Sequence, residues 1–229
     1  MDDVKLRLLD FFYPNVCDCC GQRIAYDKKI CADCEKSLVE LEVTAAQWQT
    51  GKVVPWDGLA VAYSYESTAK NGVLAMKDGK RGFLEVVADR LVAQAKASLP
   101  IADCSCLVFV PMTKRRRRMQ GYGHTELLAN AIGKRLSLPV RGDLLEEQAV
   151  GRFRQHNLSA ADRTIYAQRF VHTGQSLAGQ SVLLCDDILT TGSTLMYCTN
   201  LLKECGAAHV YVLAAACRIL SEKDVSSIE

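Results

Sequence analysis

The sequence has no long apolar run. Its most apolar stretch, Val210 to Cys217, falls far short of the roughly 20 residues that a bilayer-spanning helix needs. The opening Met1-Asp2-Asp3-Val4-Lys5 has neither the basic start nor the continuous apolar segment of a signal peptide, which predicts a cytoplasmic chain. Net charge is also scarce. Lys and Arg number 28 against 26 Asp and Glu, for a formal charge of +2, so overall charge selects no partner. Internal repeats are missing, and the one biased tract is a short basic run. What remains is 229 residues, 49% hydrophobic and 24% charged. That is ample apolar material to offset the entropy of ordering, which rules out general disorder. The length suits one ordinary domain with a small companion, or two modest domains.

Against that plain background stand 11 cysteines, an odd number. A secreted disulfide scaffold would leave one thiol over, and in a reducing compartment clustered cysteines suggest metal or catalysis. Five of them fall between residues 17 and 34. Cys17-Asp18-Cys19-Cys20 and Cys31-Ala32-Asp33-Cys34 form two C-x-x-C pairs with ten residues between Cys20 and Cys31. Two such knuckles can aim Cys17, Cys20, Cys31 and Cys34 at one tetrahedral Zn²⁺, and Gly21 permits the turn. Iron, an iron–sulfur centre or unliganded thiols would share the pattern. Four sulfurs close the coordination sphere, so this is a structural site without catalysis. Cys19 sits beside the ligand spacing. Cys104, Cys106, Cys185, Cys198, Cys205 and Cys217 lie in or beside apolar stretches, where free Cys behaves as a small hydrophobe.

Hydrophobic periodicity predicts a short helix over Val4–Phe12 ended by Pro14, and another over Glu35–Glu42. Residues 44–57 read as a linker whose Trp48 and Trp56 can pack the front onto the main body. From Gly58 onward strands and helices alternate. Strands are expected at Leu59–Tyr65, Leu107–Val110, Val140–Leu145, Ser181–Cys185 and His209–Ala216. Helices are expected at Ala69–Lys77, Phe83–Ser98, Thr125–Leu136 and Thr194–Glu204, with one capped by Ser159 running toward Gln168. Apolar strands alternating with helices argue for an α/β domain with a mostly parallel sheet flanked by helices.

The most informative segment is Val182-Leu183-Leu184-Cys185-Asp186-Asp187-Ile188-Leu189-Thr190-Thr191-Gly192-Ser193-Thr194. An apolar strand ends in two carboxylates, and a small polar turn then opens a helix. Such a turn offers backbone N–H groups, hydroxyls and a helix N-terminus to a phosphate. The two carboxylates would repel that anion unless ribose hydroxyls or a divalent cation neutralised them. An Asp-rich turn with Ser193 or Thr194 as a helix cap would look the same over so short a stretch.

Taken whole, the stretch resembles the phosphoribosyl-pyrophosphate (PRPP) signature of type I phosphoribosyltransferases. The resemblance implies that Asp186 and Asp187 hold the ribose hydroxyls, and that Thr190, Thr191, Gly192, Ser193 and Thr194 hold the 5′-phosphate. It also implies Mg²⁺ bound with PRPP. The wider sequence resembles the ComF/GntX family, in which a cysteine zinc module precedes a phosphoribosyltransferase domain. The two knuckles, Val110-Pro111-Met112 with Gly121-Tyr122, and Gln155-His156-Asn157-Leu158-Ser159 with Arg163 carry that likeness. The chain departs from the family pattern at Gly123-His124 and at Thr164. The implied organisation is a helix plus zinc module over 1–43, a linker over 44–57 and a transferase-like domain over 58–229. The implied biology is DNA uptake in natural transformation, with single-stranded DNA and other competence proteins as partners. The acceptor of a phosphoribosyl group, and any nucleophile or base for it, is not legible, and a PRPP sensor fits the same motifs.

Lys114-Arg115-Arg116-Arg117-Arg118 concentrates five positive charges in this nearly neutral chain. It reads as a solvated surface loop, as a nucleic-acid contact, or as a pyrophosphate contact suited to the guanidinium fork. Its place after a strand favours pyrophosphate for Lys114, Arg115 and Arg116. Arg152, Arg154 and Arg163 extend the same expectation to a mobile loop that closes over the ligand. Lys77-Asp78-Gly79-Lys80-Arg81 is a second, lesser basic turn.

Overall fold

The computed structural model describes residues 14–41, 53–112, 114–148 and 169–218. The expected helices over Val4–Phe12 and from Ser159 to Gln168, and Trp48, lie outside these residues. The elements in order are α1 (Ala32–Ser37), β1 (Gly58–Ser64), α2 (Ser67–Lys77), α3 (Gly82–Ser98), β2 (Cys104–Phe109), α4 (Lys114–Gln120) and α5 (His124–Leu136). They continue with β3 (Val140–Arg141), β4 (Leu145–Glu147), β5 (Phe170–His172), β6 (Ser181–Leu189), α6 (Ser193–Glu204) and β7 (His209–Cys217). Five strands form one sheet in the order β1-β7-β6-β2-β3, with every neighbouring pair parallel. The antiparallel ribbon β4–β5 stands apart.

The strands are apolar on both faces because both faces are covered. Ala60, Ala62, Leu107, Phe109, Leu183, Cys185 and Leu213 face α2, α3 and α5, where Met76, Phe83, Leu91, Leu128 and Ile132 complete one core. Their alternates Val61, Val108, Val182, Leu184 and Val212 face α6 and the ribbon, through Leu195, Leu202, Phe170 and Leu177. Full burial of each large side chain stabilises the fold by roughly 1.5–3 kcal/mol. Trp56 packs into this second core, whereas the cysteine segment it was expected to hold lies on the first. Among the described residues no helix is long and apolar enough to cross a membrane.

The cysteine segment docks on the first core. Cys17, Cys19, Ile30, Cys31 and Cys34 are buried in it. Asp18 accepts a hydrogen bond from the Phe83 N–H at 2.9 Å, at the N-terminus of α3, where negative charge is favourable. The approach is so close that a Cβ on Gly82 would lie 2.4 Å from the Lys29 carbonyl oxygen. Val39 to Leu41 then runs along β1 as an added antiparallel bridge, with Ser64 N–H donating to the Val39 carbonyl at 2.8 Å. This covers the open edge of an otherwise exposed strand.

Four local expectations are corrected. The helix expected over Glu35–Glu42 is α1, which starts at the Cys31 cap and gives way at Leu38 to the extended edge segment. The strand expected over Val140–Leu145 splits at Gly142, against which the Phe109 ring packs, so β3 joins the sheet and β4 leaves it for the ribbon. β6 does not stop before the acidic pair. Its ladder with β7 continues through Asp186↔Ala214 and Ile188↔Ala216. The basic run, read as a loop, is helical over Lys114–Gln120.

Candidate functional site

In a parallel sheet the crevice at the strands' carboxyl ends is the natural ligand site. Here the ends of β2 and β6 open into a cavity of about 310 Å³, lined by Val110, Pro111 and Met112 from one and by Asp186, Asp187 and Ile188 from the other. Thr190 and Thr194 close one side. The turn between them is built for an anion. Gly192 has a φ of 77°, a conformation that costs an ordinary residue strain, and it caps α6 without contributing a side-chain hydrogen bond. Gly192 has no side chain to cap this 12-residue helix, and the Ser193 N–H instead donates to Thr191 Oγ1 at a long 3.5 Å. Thr191 Oγ1 and Ser193 Oγ lie 3.0 Å apart and fix each other's orientation.

The two carboxylates differ sharply although they are adjacent and both buried. Asp186 Oδ1 accepts from the Asp187 N–H at 2.8 Å. Burial, reinforced by the charge of Asp187, pushes its carboxyl well above the ordinary value. Burial would also raise Asp187, but the hydrogen bond from His124 and the charge of Lys77 more than reverse this and hold it well below the usual range. Lys77 Nζ and His124 Nε2 each lie 2.9 Å from the same oxygen, Asp187 Oδ2. The His124 Nδ1 is buried with no hydrogen-bond partner among the described residues. Thr125 Oγ1 donates to the Val110 carbonyl at 2.9 Å and fixes α5 to the end of β2. From the ribbon, an ion pair between Arg169 and Glu147 completes the wall.

The second cluster is the set Cys17, Cys20, Cys31 and Cys34, whose sulfurs all lie within 4.8 Å of one another. A tetrahedral Zn²⁺ with bonds of about 2.3 Å needs sulfurs roughly 3.8 Å apart, and Cys20 and Cys31 lie at 3.7 Å. The residues therefore fit such an ion. Burial raises the Cys17 thiol, but the N–H groups of Cys31, Cys19 and Cys20 outweigh it and bring it to about 7. Burial and the neighbouring thiols push Cys34 up. Cys19 stands outside the set and is pushed to about 12, chiefly by burial.

Residues 124–228 match the family model for the phosphoribosyl transferase domain. Over 217 residues the chain is 26% identical to the DNA utilization protein YhgH of Escherichia coli K12, covering 90% of this chain and 91% of that protein. It is 23% identical over 207 residues to Competence protein F of Haemophilus influenzae, covering 87% of this chain and 83% of that one. The chain is similar to ComF-type proteins along most of its length and matches a phosphoribosyl transferase domain over residues 124–228. Among solved structures, a hypoxanthine phosphoribosyltransferase from Staphylococcus aureus aligns over 61% of this chain and 62% of that one, at 17% identity and a TM-score of 0.36.

Of the residues expected from the phosphoribosyltransferase signature, Asp186, Asp187, Thr190 and Thr194 meet at the cavity, and Thr191, Gly192 and Ser193 form the adjoining turn. Lys114, Arg115 and Arg116 lie on α4, just past the end of β2, with their side chains outside the described set. Arg117 of that helix pairs with Glu126 at 2.8 Å. Arg152, Arg154 and Arg163 lie outside the described residues. Sequence reasoning missed Lys77, Glu147 and Arg169, and noted His124 only as a departure from the family pattern. The only hint was that Lys77 opens a basic turn. Of the six remaining cysteines, five are buried. Burial pushes Cys104 to about 11 and raises Cys185 and Cys198 strongly, in keeping with inert core thiols.

Proposed function

We propose that this chain binds PRPP in the cleft at the ends of β2 and β6 and transfers its phosphoribosyl group to an acceptor. One observation carries the reading: a buried acidic pair and the Thr190 and Thr194 ends of a Thr/Ser/Gly turn share one cavity. Asp186 and Asp187 take the ribose hydroxyls, and Thr190 to Thr194 take the 5′-phosphate. The expected partners of the diphosphate are Lys114, Arg115 and Arg116 with Arg152, Arg154 and Arg163. Mg²⁺, carried with PRPP, supplies charge neutralisation at the diphosphate. In the reaction the bond from ribose C1 to the diphosphate oxygen breaks with both electrons leaving on diphosphate. The acceptor's nucleophile forms the new bond to C1 and gives up a proton. The protein contributes positioning and electrostatic stabilisation. A structural Zn²⁺ on Cys17, Cys20, Cys31 and Cys34 holds the front, and the location is cytoplasmic.

Calorimetric titration of PRPP with Mg²⁺ tests this. Wild type binds, and Asp186→Asn/Asp187→Asn weakens binding strongly. Equal affinity for both would refute the site. Diphosphate release on addition of candidate acceptors separates an enzyme from a PRPP sensor.

A second reading, single-stranded DNA handling during DNA uptake with competence proteins, draws on the relatives' names and on exposed Arg117 and Arg118 of α4. Neutralising Arg115 to Arg118 should then flatten the salt dependence of single-strand binding. An unchanged slope removes this role.

A further inference from the structure

Lys77 belongs to none of the segments that carry the phosphoribosyl signature. It is the last residue of α2, which begins three residues after β1 ends, at the carboxyl edge of the sheet. From there its Nζ reaches Asp187 Oδ2 at 2.9 Å, and the side chain stays 28% exposed to the cavity it lines. The placement is built rather than incidental. The Tyr122 hydroxyl donates to the Lys77 carbonyl at 3.2 Å. Two residues on, Gly79 packs so tightly on that ring that a Cβ would lie 2.6 Å from the hydroxyl oxygen. The same turn of chain, Gly121 to Gly123, then delivers His124 to the same carboxylate oxygen.

An ammonium has three N–H donors, and the bond to Asp187 takes one. The others are available on the cavity side. The ligand of this cleft, as proposed above, has two anionic ends, and the Thr190–Thr194 turn offers neutral hydroxyls and amides to one of them. We infer that Lys77 is a substrate-binding residue that takes the diphosphate end of the phosphoribosyl ligand while remaining tied to Asp187. The inference rests on that reading of the cleft. His124 stays on Asp187 and keeps the carboxylate ionised. The ligand class favoured is then a ribose 5-phosphate with an anionic substituent at C1, over one that ends there in a hydroxyl.

The test uses the full chain with its metal, and compares PRPP, ribose 5-phosphate and inorganic pyrophosphate by calorimetry in wild type, Lys77→Met and Lys77→Arg. A charge-assisted hydrogen bond is worth about tenfold or more in affinity. Lys77→Met should therefore weaken PRPP and pyrophosphate about tenfold or more, and ribose 5-phosphate by less than about threefold. Lys77→Arg should recover much of the PRPP affinity, and thermal melts of both variants confirm that they fold. Equal losses for PRPP and ribose 5-phosphate would mean that Lys77 acts only by ordering Asp187, and would overturn the inference alone. Unchanged PRPP affinity in Lys77→Met would overturn it as well. Wild-type protein that binds none of the three ligands would instead refute the reading of the cleft, and the inference with it.

Discussion

The cysteine set and the acidic pair are both clusters of groups that would repel one another once ionised, but they are neutralised from different sources. Asp187 has its partners built in, the Lys77 ammonium and His124 Nε2, drawn from two other segments of the chain. The four thiols are moderated by backbone N–H groups and by each other, as the raised Cys34 shows. The cleft can therefore stand preformed without a metal, whereas four ionised thiolates in the front segment would need an external cation for their charge balance. The difference follows from size. A segment of fewer than thirty described residues has little core of its own to pin a lysine against it. A five-stranded sheet does.

Removing the metal should expose this contrast most strongly. Structural Zn²⁺ contributes on the order of 10 kcal/mol to folding in small modules. Chelation, or Cys17→Ser/Cys34→Ser, should free one metal per chain and remove hydrogen-exchange protection across residues 14–41. Amides of β6 and β7 should stay protected. Metal analysis that finds none in the native protein, or exchange unaffected by chelation, would break the comparison on the module side.

The next test breaks the cleft side and uses the opposite shifts of two neighbours. A carboxyl lowered in the fold contributes stability above its unfolded value of about 3.9, and loses it as pH falls through the lower folded value. Asp187 is of this kind. Asp187→Asn leaves the half-buried Lys77 ammonium without its carboxylate and should cost about 1–3 kcal/mol at pH 7, an effect that shrinks below about pH 4. Asp186 is raised, so its contribution runs the other way. No penalty exists below about 3.9, and one accumulates as pH rises toward the folded value. Asp186→Asn should leave stability unchanged in acid and raise it at pH 8. Thermal melts from about pH 2 to 8 would show the two variants diverging, with the Asp187→Asn deficit flat above about pH 4 and shrinking below it, and the Asp186→Asn gain growing above it. Parallel curves would mean that the carboxylates share their charge.

Gly79→Ala tests the positioning of the built-in cation. With φ at 87°, alanine is strained by about 1–2 kcal/mol, and its Cβ must displace the Tyr122 hydroxyl. The melting temperature should fall modestly, while PRPP affinity falls through the misplaced Lys77. The metal content should not change. Lost metal would show that the turn supports the module instead.

What was legible in the sequence is what is contiguous. The acidic pair with its Thr-Thr-Gly-Ser-Thr turn and the two C-x-x-C knuckles each place all their chemistry within a few residues, and the structure assembles both. Lys77 lies more than a hundred residues before the acidic pair, and His124, Glu147 and Arg169 come from other segments, so only the tertiary fold brings them to it. No local pattern announces such a meeting. The strand break at Gly142 was hidden for a related reason, since it depends on a ring from β2. Five adjacent cations argue against a helix by self-repulsion, yet α4 forms over them, with Arg117 offset by Glu126 of α5.

The smallest expected effect isolates a single bond. Tyr122→Phe removes the hydroxyl that donates to the Lys77 carbonyl and changes no charge. The acceptor is the carbonyl of the last residue of α2, a helix end whose carbonyls need partners. Losing one neutral hydrogen bond of 3.2 Å should cost about 0.5–1.5 kcal/mol. The ring itself still packs against Gly79, so the turn keeps its shape. If Lys77 is held mainly by its ion pair with Asp187, PRPP affinity in Tyr122→Phe should drop less than about threefold while the melting temperature falls slightly. If affinity instead falls as far as in Lys77→Met, the backbone anchor rather than the carboxylate holds the ammonium in the cleft. The built-in cation would then depend on helix placement as much as the module would on a bound ion.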